Sequence, residues 1–473
     1  MKTIQTSLPY LQSLNIWIAS SVLESSTLSF YRSFRYIASL SLREQANEKS
    51  LLDILSHHTQ LKELSVLASN KMNITSRLLA SVHQQCPYLE FLAMEGAHAK
   101  APEHTTQLTY PTIHHIKVLK LQLCSGMDAC HQWLAYIGTA YPQLESLALK
   151  SHKKDASQEN ESHPVEIYRQ FWTNCPKLVD VDLCGIEIGP LFFQQLEQQQ
   201  RPLKRLGLCG ICSDCLVICN GLFDSSNLST IQSMNLALPF TRTSNRFIES
   251  IGKACPRLQH LALNGYYFLT GDIAMATLLN ALPCLISLEV VQANLCALDN
   301  QARHSVLLHP LKKMKFVQCM LLNEVFDYVA ARCYSLQYLT LNDNRFDAPC
   351  LPHSAADEVQ PTISCYKTEI HLPNQQLREF KIGRRIRTKK APFDQIVQLF
   401  HVKQNQKKQE HWYHIDTHRE NPSSVPVIAR PFQEIEDKIN KPHTLQQGYI
   451  SLVCQSIDAV YMNKKRLVIG SIG

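Results

Sequence analysis

One phrase, L-x-x-L-x-L with Ile, Val, Met or Phe as substitutes, returns along most of this 473-residue chain. Copies begin at Leu11, Leu61, Leu89, Ile116, Leu144, Leu178, Leu203, Ile231, Leu258, Leu285, Leu311, Leu336 and Leu377, with a further copy at Ile37. Most successive starts lie 24 to 28 residues apart. The two wide intervals, 34 residues before Leu178 and 41 before Leu377, hold the loop-like inserts "SHKKDASQENESHP" and "DAPCLPHSAADEVQP". A period of this length means stacked supersecondary units rather than a single closed core.

Each unit follows from its residues. Alternating leucines predict a short strand with one buried face. Between strands, apolar residues recur three or four apart, as in "TSNRFIESIGKAC", where Phe247, Ile251 and Ala254 share a helical face and Thr243 or Ser244 can cap the start. One such unit cannot bury its apolar side alone, so copies must stack into a solenoid.

The phrase resembles that of leucine-rich repeat proteins, and of their cysteine-containing subtype in particular. That subtype leads into the strand with Cys-Pro-x-Leu, which stands here as Cys86-Pro87-Tyr88-Leu89, Cys175-Pro176-Lys177-Leu178 and Cys255-Pro256-Arg257-Leu258. Cys333-Tyr334-Ser335-Leu336 lacks the proline. The subtype also favours Cys or Asn eight residues after the first leucine; Cys124, Cys319 and Asn344 match, while Ile186 and Ile211 depart. The resemblance covers residues 1–383. It implies an α/β fold, a ribonuclease-inhibitor-like right-handed horseshoe with strands on the concave side and helices outside. Residues 384–473 break the phrase. There "YISLVCQSIDAVYM" and "KRLVIGSIG" read as strands, so this segment is expected to be a β-rich C-terminal cap.

The repeat also gives an address to the run Cys209, Cys212, Cys215 and Cys219, whose C-x2-C-x2-C-x3-C spacing matches bacterial ferredoxins. Leu208-Cys209-Gly210-Ile211 repeats Leu183-Cys184-Gly185-Ile186 one unit, 25 residues, later. Asn220 stands where a ferredoxin usually has proline, and no second run exists. Structural thiols are therefore expected. Zinc on Cys184, Cys209, Cys212 and Cys215 is the better of the two metal alternatives, ahead of an iron–sulfur cluster. In "HWYHIDTH", a strand would split His411, His414 and His418 between faces. No cofactor is expected.

Seventeen cysteines with no apolar leader at the start predict reduced thiols in the cytosol or nucleus. No apolar run approaches the roughly 18 residues of a membrane span. The net charge of +7 lies wholly in the tail, where residues 384–473 hold 15 Lys/Arg against 8 Asp/Glu. Its dense run is "GRRIRTKK", with Arg384, Arg385, Arg387, Lys389 and Lys390. A solvated strand edge is the first reading of it, with nuclear import or a nucleic-acid contact as alternatives. No Gly-rich phosphate loop, H-E-x-x-H or G-x-S-x-G is present, so nothing requires an enzyme.

The expected binding surface is the concave face. Its side chains are the third and fifth positions of the phrase and the residue after its last leucine. These are Asp180, Asp182 and Cys184, then Arg205, Gly207 and Cys209, Ser233 and Asn235, His260 and Asn264, Ser287 and Glu289. Lys313, Lys315, Tyr338, Thr340 and Asn342 continue the series. Tyr338, Arg205 and Trp17 are of the types that anchor interfaces. This polar, varied surface suits a protein partner.

The cysteine-containing subtype resembles the substrate-recognition part of fungal F-box proteins in SCF ubiquitin ligases. That resemblance implies a protein substrate on the concave face and ubiquitin-dependent degradation. The phrase begins by Leu11, and "SLPYL" is repeat rather than an F-box start. A Skp-family adaptor is thus expected only if this chain is a fragment lacking its F-box. A leucine-rich repeat GTPase regulator, or an adaptor using the basic run on nucleic acid, are the alternatives.

Overall fold

Each described copy of the phrase lies in a strand whose large apolar side chains point one way. The computed structural model describes residues 12–16, 36–68, 72–100, 102, 112–123, 130–151, 165–184, 190–208, 226–237, 244–265, 272–297, 308–322, 324–342, 344–347, 367–383, 387–388, 399–414, 428–430, 449–462 and 465–467. The chain divides into two compact units, Met1–Ile231 and Gln232–Gly473.

The first unit runs β1 (Ser13–Ile16), β2 (Ser39–Ala46), α1 (Glu48–Leu55), β3 (Glu63–Ala68), β4 (Asn73–Ile74), α2 (Ser76–Gln85), β5 (Phe91–Ala99) and β6 (Val118–Leu123). It continues with α3 (Cys130–Ala140), β7 (Ser146–Ser151), α4 (Val165–Asn174), β8 (Asp180–Cys184), α5 (Pro190–Gln198) and β9 (Arg205–Leu208). Apart from β4, which pairs on the far end of β5, the strands form a parallel sheet in sequence order. Register places like residue on like: Leu40, Leu64, Leu92, Leu119, Leu147, Val181 and Leu206 form one buried row. A repeated clamp sets that register. The Lys62 carbonyl accepts from the N–H groups of both Glu90 and Phe91, Glu90 from Lys117 and Val118, and Lys117 from Glu145 and Ser146.

The helices are fastened locally and then by aromatic packing. Asn47 caps α1 by accepting from the Ser50 N–H at 2.9 Å, and Thr75 caps α2 by accepting from Leu78 at 3.0 Å. Trp172 lies 4.9 Å from Phe192, ring to ring, and donates its indole N–H to the Phe192 carbonyl at 3.2 Å. The polar edge of Trp172 is thus satisfied inside the core.

The second unit begins with β10 (Ser233–Ala237), α6 (Ser244–Ala254), β11 (His260–Asn264), β12 (Ile273–Ala274), α7 (Met275–Ala281), β13 (Ser287–Val291) and β14 (Asn294–Cys296). Then come β15 (Lys313–Val317), β16 (Met320–Leu322), α8 (Glu324–Arg332), β17 (Tyr338–Asn342), β18 (Arg345–Asp347), β19 (Lys367–Ile382) and β20 (Arg387–Thr388). The tail adds β21 (Leu399–Gln404), β22 (Gln409–His414), β23 (Ile428–Arg430), β24 (Tyr449–Met462) and β25 (Lys465–Leu467). Met234, Leu261, Leu288, Met314, Leu339 and Phe380 repeat the buried row, and Val460 of β24 extends it beyond the last phrase. β24 coincides with "YISLVCQSIDAVYM" and pairs in parallel along β19. A second parallel sheet, β12-β14-β16-β18-β20, was not legible as strands in the sequence.

Cys86, Cys175, Cys255 and Cys333 each follow a helix end and are buried. Each N–H donates to the carbonyl four residues back, and each carbonyl accepts from the leucine that opens the next phrase. Cysteine here closes one helix and starts the next strand. Eight residues after the first leucine, the buried Asn344 side chain accepts from Cys319 N–H at 2.8 Å and donates to the Phe316 carbonyl at 3.0 Å, stitching adjacent copies. Cys124, Ile186 and Ile211 lie outside the described residues.

The buried face of α6 consists of Phe247, Ile248 and Ile251 with Cys255 beyond it, and Ala254, expected on the same face, is half-buried at the helix's last residue.

Candidate functional site

The phrase leaves its third, fifth and seventh positions on the sheet face opposite the leucines. In β8 this gives Asp180, Asp182 and Cys184 half-buried around fully buried Val181 and Leu183. In the first unit Lys120, Ala148, Asp182 and Gly207 stand in one register row across β6 to β9. Neighbouring strands are about 4.8 Å apart, so Lys120 and Asp182 flank a methyl group at roughly 10 Å separation. Above it lies a depression of about 280 Å³, rimmed by Glu95, Lys120, Lys150, Asp180, Asp182 and Arg205.

Asp182 is held at the rim. Its carboxylate accepts from Lys150 at 2.8 Å and from the Cys184 thiol at 2.8 Å. It also lies over Gly207, where an added Cβ would stand 2.7 Å from the Asp182 Cγ. The glycine is there for space. In the next row Ser146, Asp180 and Arg205 are register neighbours. The carboxylates of Asp180 and Glu95 and the Arg205 guanidinium have no ion-pair partner among the described residues. The Lys120 ammonium lies 5.3 Å from the centre of the Phe91 ring.

The second unit carries the other expected residues on the corresponding face. Asn264 donates to the Asn235 side chain at 2.7 Å. Glu289 and Lys315 form an ion pair at 2.6 Å, and Lys313 lies 5.3 Å from the Tyr338 ring centre. Thr340 and Asn342 are half-buried along β17, and His260 is exposed on β11. Beyond them Glu379 and Lys381 pair at 2.7 Å, and Lys381 also lies over Tyr461 at 5.3 Å. The described expected residues thus fall into two sets: Asp180, Asp182, Cys184, Arg205 and Gly207 in one unit, and those from Ser233 to Asn342 in the other. Glu95, Lys120 and Lys150 were missed, although the same positional rule applied to the phrases at Leu89, Ile116 and Leu144 picks them out.

The other candidates carry less. Burial pushes the thiols of Cys86, Cys175, Cys255, Cys333 and Cys454 up to about 12, and Cys319 to about 11. Buried in this way, these thiols stay protonated at neutral pH. Cys209, Cys212, Cys215, Cys219, His418 and Trp17 lie outside the described residues. Among the described residues no three His, Cys, Asp or Glu side chains gather as a metal site, and no helix is long and apolar enough to cross a membrane. Of the basic run, Arg387 and Thr388 form β20 at the edge of the second sheet; Arg384, Arg385, Lys389 and Lys390 are outside the described set.

No family model matches the chain, and no curated protein matches it. Among solved structures, a TLR13–ssRNA13 complex is similar over 84% of this chain and 60% of that one, at 14% identity and a TM-score of 0.30. The Arabidopsis receptor kinase HAESA, in complex with the peptide hormone IDA and the co-receptor SERK1, covers 70% of this chain and 64% of its own, at 15% identity and a TM-score of 0.23. The chain spans less than two thirds of the length of either.

Proposed function

We propose that this protein is a non-enzymatic scaffold for protein–protein interaction, with the open strand face as the concave surface of a leucine-rich repeat horseshoe. One observation carries the reading. In each unit, polar and charged side chains of many types stand half-exposed at fixed spacing over a buried row, so a partner meets a surface that is already organised. In its finer form, the protein is a substrate-recognition subunit of the F-box/leucine-rich repeat kind, acting in the cytosol or nucleus. The closed Cys-Pro-x-Leu turns support that form. A Skp-family adaptor belongs to this reading only if an F-box is missing from this chain. Residues 384–473, with β24 paired along β19, serve as the cap of the last repeat.

Charge reversal on each unit tests the scaffold reading. Asp180→Lys with Arg205→Glu alters the first face, and Lys313→Glu with Lys315→Glu alters the second. Like charges placed against a partner can cost several kcal/mol of binding. At least one double variant should lose the partners captured by affinity purification while melting as the parent does. Lys407→Glu with Lys408→Glu, on the exposed turn between β21 and β22, should change nothing. If both face variants keep every partner, the reading fails.

A further inference from the structure

We propose that a polar depression beside the bulge of β19, where the chain enters β17, is a binding site for a neutral sugar. It lies among residues that lead into the strands, apart from the open face, and is independent of the scaffold reading.

A bulge builds the site. Leu372 stands opposite Cys454 and Gln376 opposite Ser456, so three residues of β19 face the single Gln455 of β24. Bulges re-aim side chains and recur beside active sites. Gln375, within this one, is wholly buried, and its side-chain amide donates to the Ala330 carbonyl at 2.9 Å and the Cys333 carbonyl at 3.4 Å, at the end of α8. The bulge is thereby fastened to the helix, while Asn374 and Gln376 on either side stay exposed. Both line a depression of about 300 Å³, together with residues 334–337 and with Gln455, Ser456 and Asp458 of β24.

The lining selects the class of ligand. Sites for small molecules are lined chiefly by apolar and aromatic side chains. Here, among the described residues and apart from Tyr334, only Leu336 and Leu377 are apolar, and both are buried. An apolar side chain of a peptide would find little to pack against. Arg378 brings one cation and Asp458 one anion, so formal charge favours neither an acid nor a base.

What remains is amide and hydroxyl. Gln337, Asn374, Gln376 and Gln455 line the depression with Ser335 and Ser456, and among the described residues none of these six side chains makes a hydrogen bond. Each carboxamide offers donors beside an acceptor, and each hydroxyl can act as either. The matching ligand carries several uncharged groups that also donate and accept, which is the chemistry of a ring bearing hydroxyls. Tyr334, 48% exposed, adds a flat apolar face with a polar tip on which the C–H side of a pyranose can rest.

The test uses the full chain, with methyl glucopyranoside and methyl N-acetylglucosaminide as neutral probes in saturation-transfer NMR. Glucuronic acid, glucosamine and tetraglycine are the acidic, basic and peptide arms. At least one neutral glycoside should bind with a Kd of about 1–10 mM, the range open to a few hydrogen bonds. Asn374→Ala with Gln376→Ala should weaken it at least about fivefold, as loss of hydrogen bonds does, while melting as the parent does because both residues are exposed. Tyr334→Ala, an independent variant, should reduce transfer to the sugar's ring protons. A serine peptide carrying one O-linked N-acetylglucosamine, beside its bare form, separates the sources. Tighter binding than the free glycoside assigns the site to sugar on a protein partner, and equal binding to free sugar. Absence of transfer from both neutral glycosides overturns the site. So does tighter binding of a charged sugar or tetraglycine, or unchanged binding by the Asn374/Gln376 variant.

Discussion

The two open faces follow one positional rule and differ in how far their charges are paired. In the second unit the charges answer one another: Glu289 with Lys315, Glu379 with Lys381, Lys313 against Tyr338 and Lys381 against Tyr461. In the first, Asp180, Arg205 and Glu95 surround a depression with no ion-pair partner among the described residues. A partner docking on the second face would have to displace contacts already made, which largely offsets what it gains. On the first face it would add them. The lesson is that a polar strip on a repeat sheet need not be a binding strip along its whole length.

The scaffold beneath each face is expected to be equally firm. Leu147→Ala and Leu288→Ala, at register positions in the two buried rows, should each lose about 2–5 kcal/mol in urea unfolding. A much smaller loss at one of them would mean the faces differ in rigidity as well as charge.

A pH effect should come next and belong to the first unit. His83 accepts or donates at 3.0 Å to the Tyr141 hydroxyl, and burial lowers its pKa from 6.5 to about 4. Above pH 6.5 the imidazole is neutral in both folded and unfolded chains and contributes no slope. As pH falls below 6.5 the unfolded chain takes up a proton that the folded one refuses, so stability drops until about pH 4. The loss from this group is about 3 kcal/mol over that window. His83→Gln should flatten this part of a stability–pH curve, and an unchanged curve would remove His83 as the cause.

Gly207→Ala tests the geometry of the first face directly. The new methyl meets the pinned Asp182 carboxylate, so a loss of about 1–3 kcal/mol is expected, partly relieved when Asp182→Ala is added. Without that relief, the crowding lies elsewhere. Smallest of all, Lys315→Met should change stability by about 1 kcal/mol or less, because the Glu289 pair is exposed to solvent. A larger loss would show that the second face is an electrostatic brace rather than a screened pair.

Legibility in the sequence followed periodicity. The leucine rows, the cysteine turns and the long strand at Tyr449–Met462 could all be read because burial demands a pattern there. The second sheet could not: β12, β14, β16, β18 and β20 span only two or three residues each, too few for an alternation to register. The site was half visible. Which side chains reach the open face follows from the phrase, but whether Asp180 and Arg205 pair with each other or stand apart depends on rotamers that no spacing encodes. The depression itself comes from an absence, the small Ala148 between larger neighbours, and a pattern search built on large residues passes over it.

The carbonyl clamp between successive strands has a consequence for ancestry. Because Lys62, Glu90 and Lys117 each grip two consecutive N–H groups of the following copy, an extra residue inside the phrase would turn the wrong side chains toward the core. Extra residues are harmless in the stretches between phrases, which is where the intervals of 34 and 41 residues occur. Whole copies can be gained or lost by duplication and deletion of a coding segment, since the same clamp receives whichever copy comes next. A lineage carrying this gene can thus exchange one strand's worth of recognition surface at a time, leaving its neighbours in place.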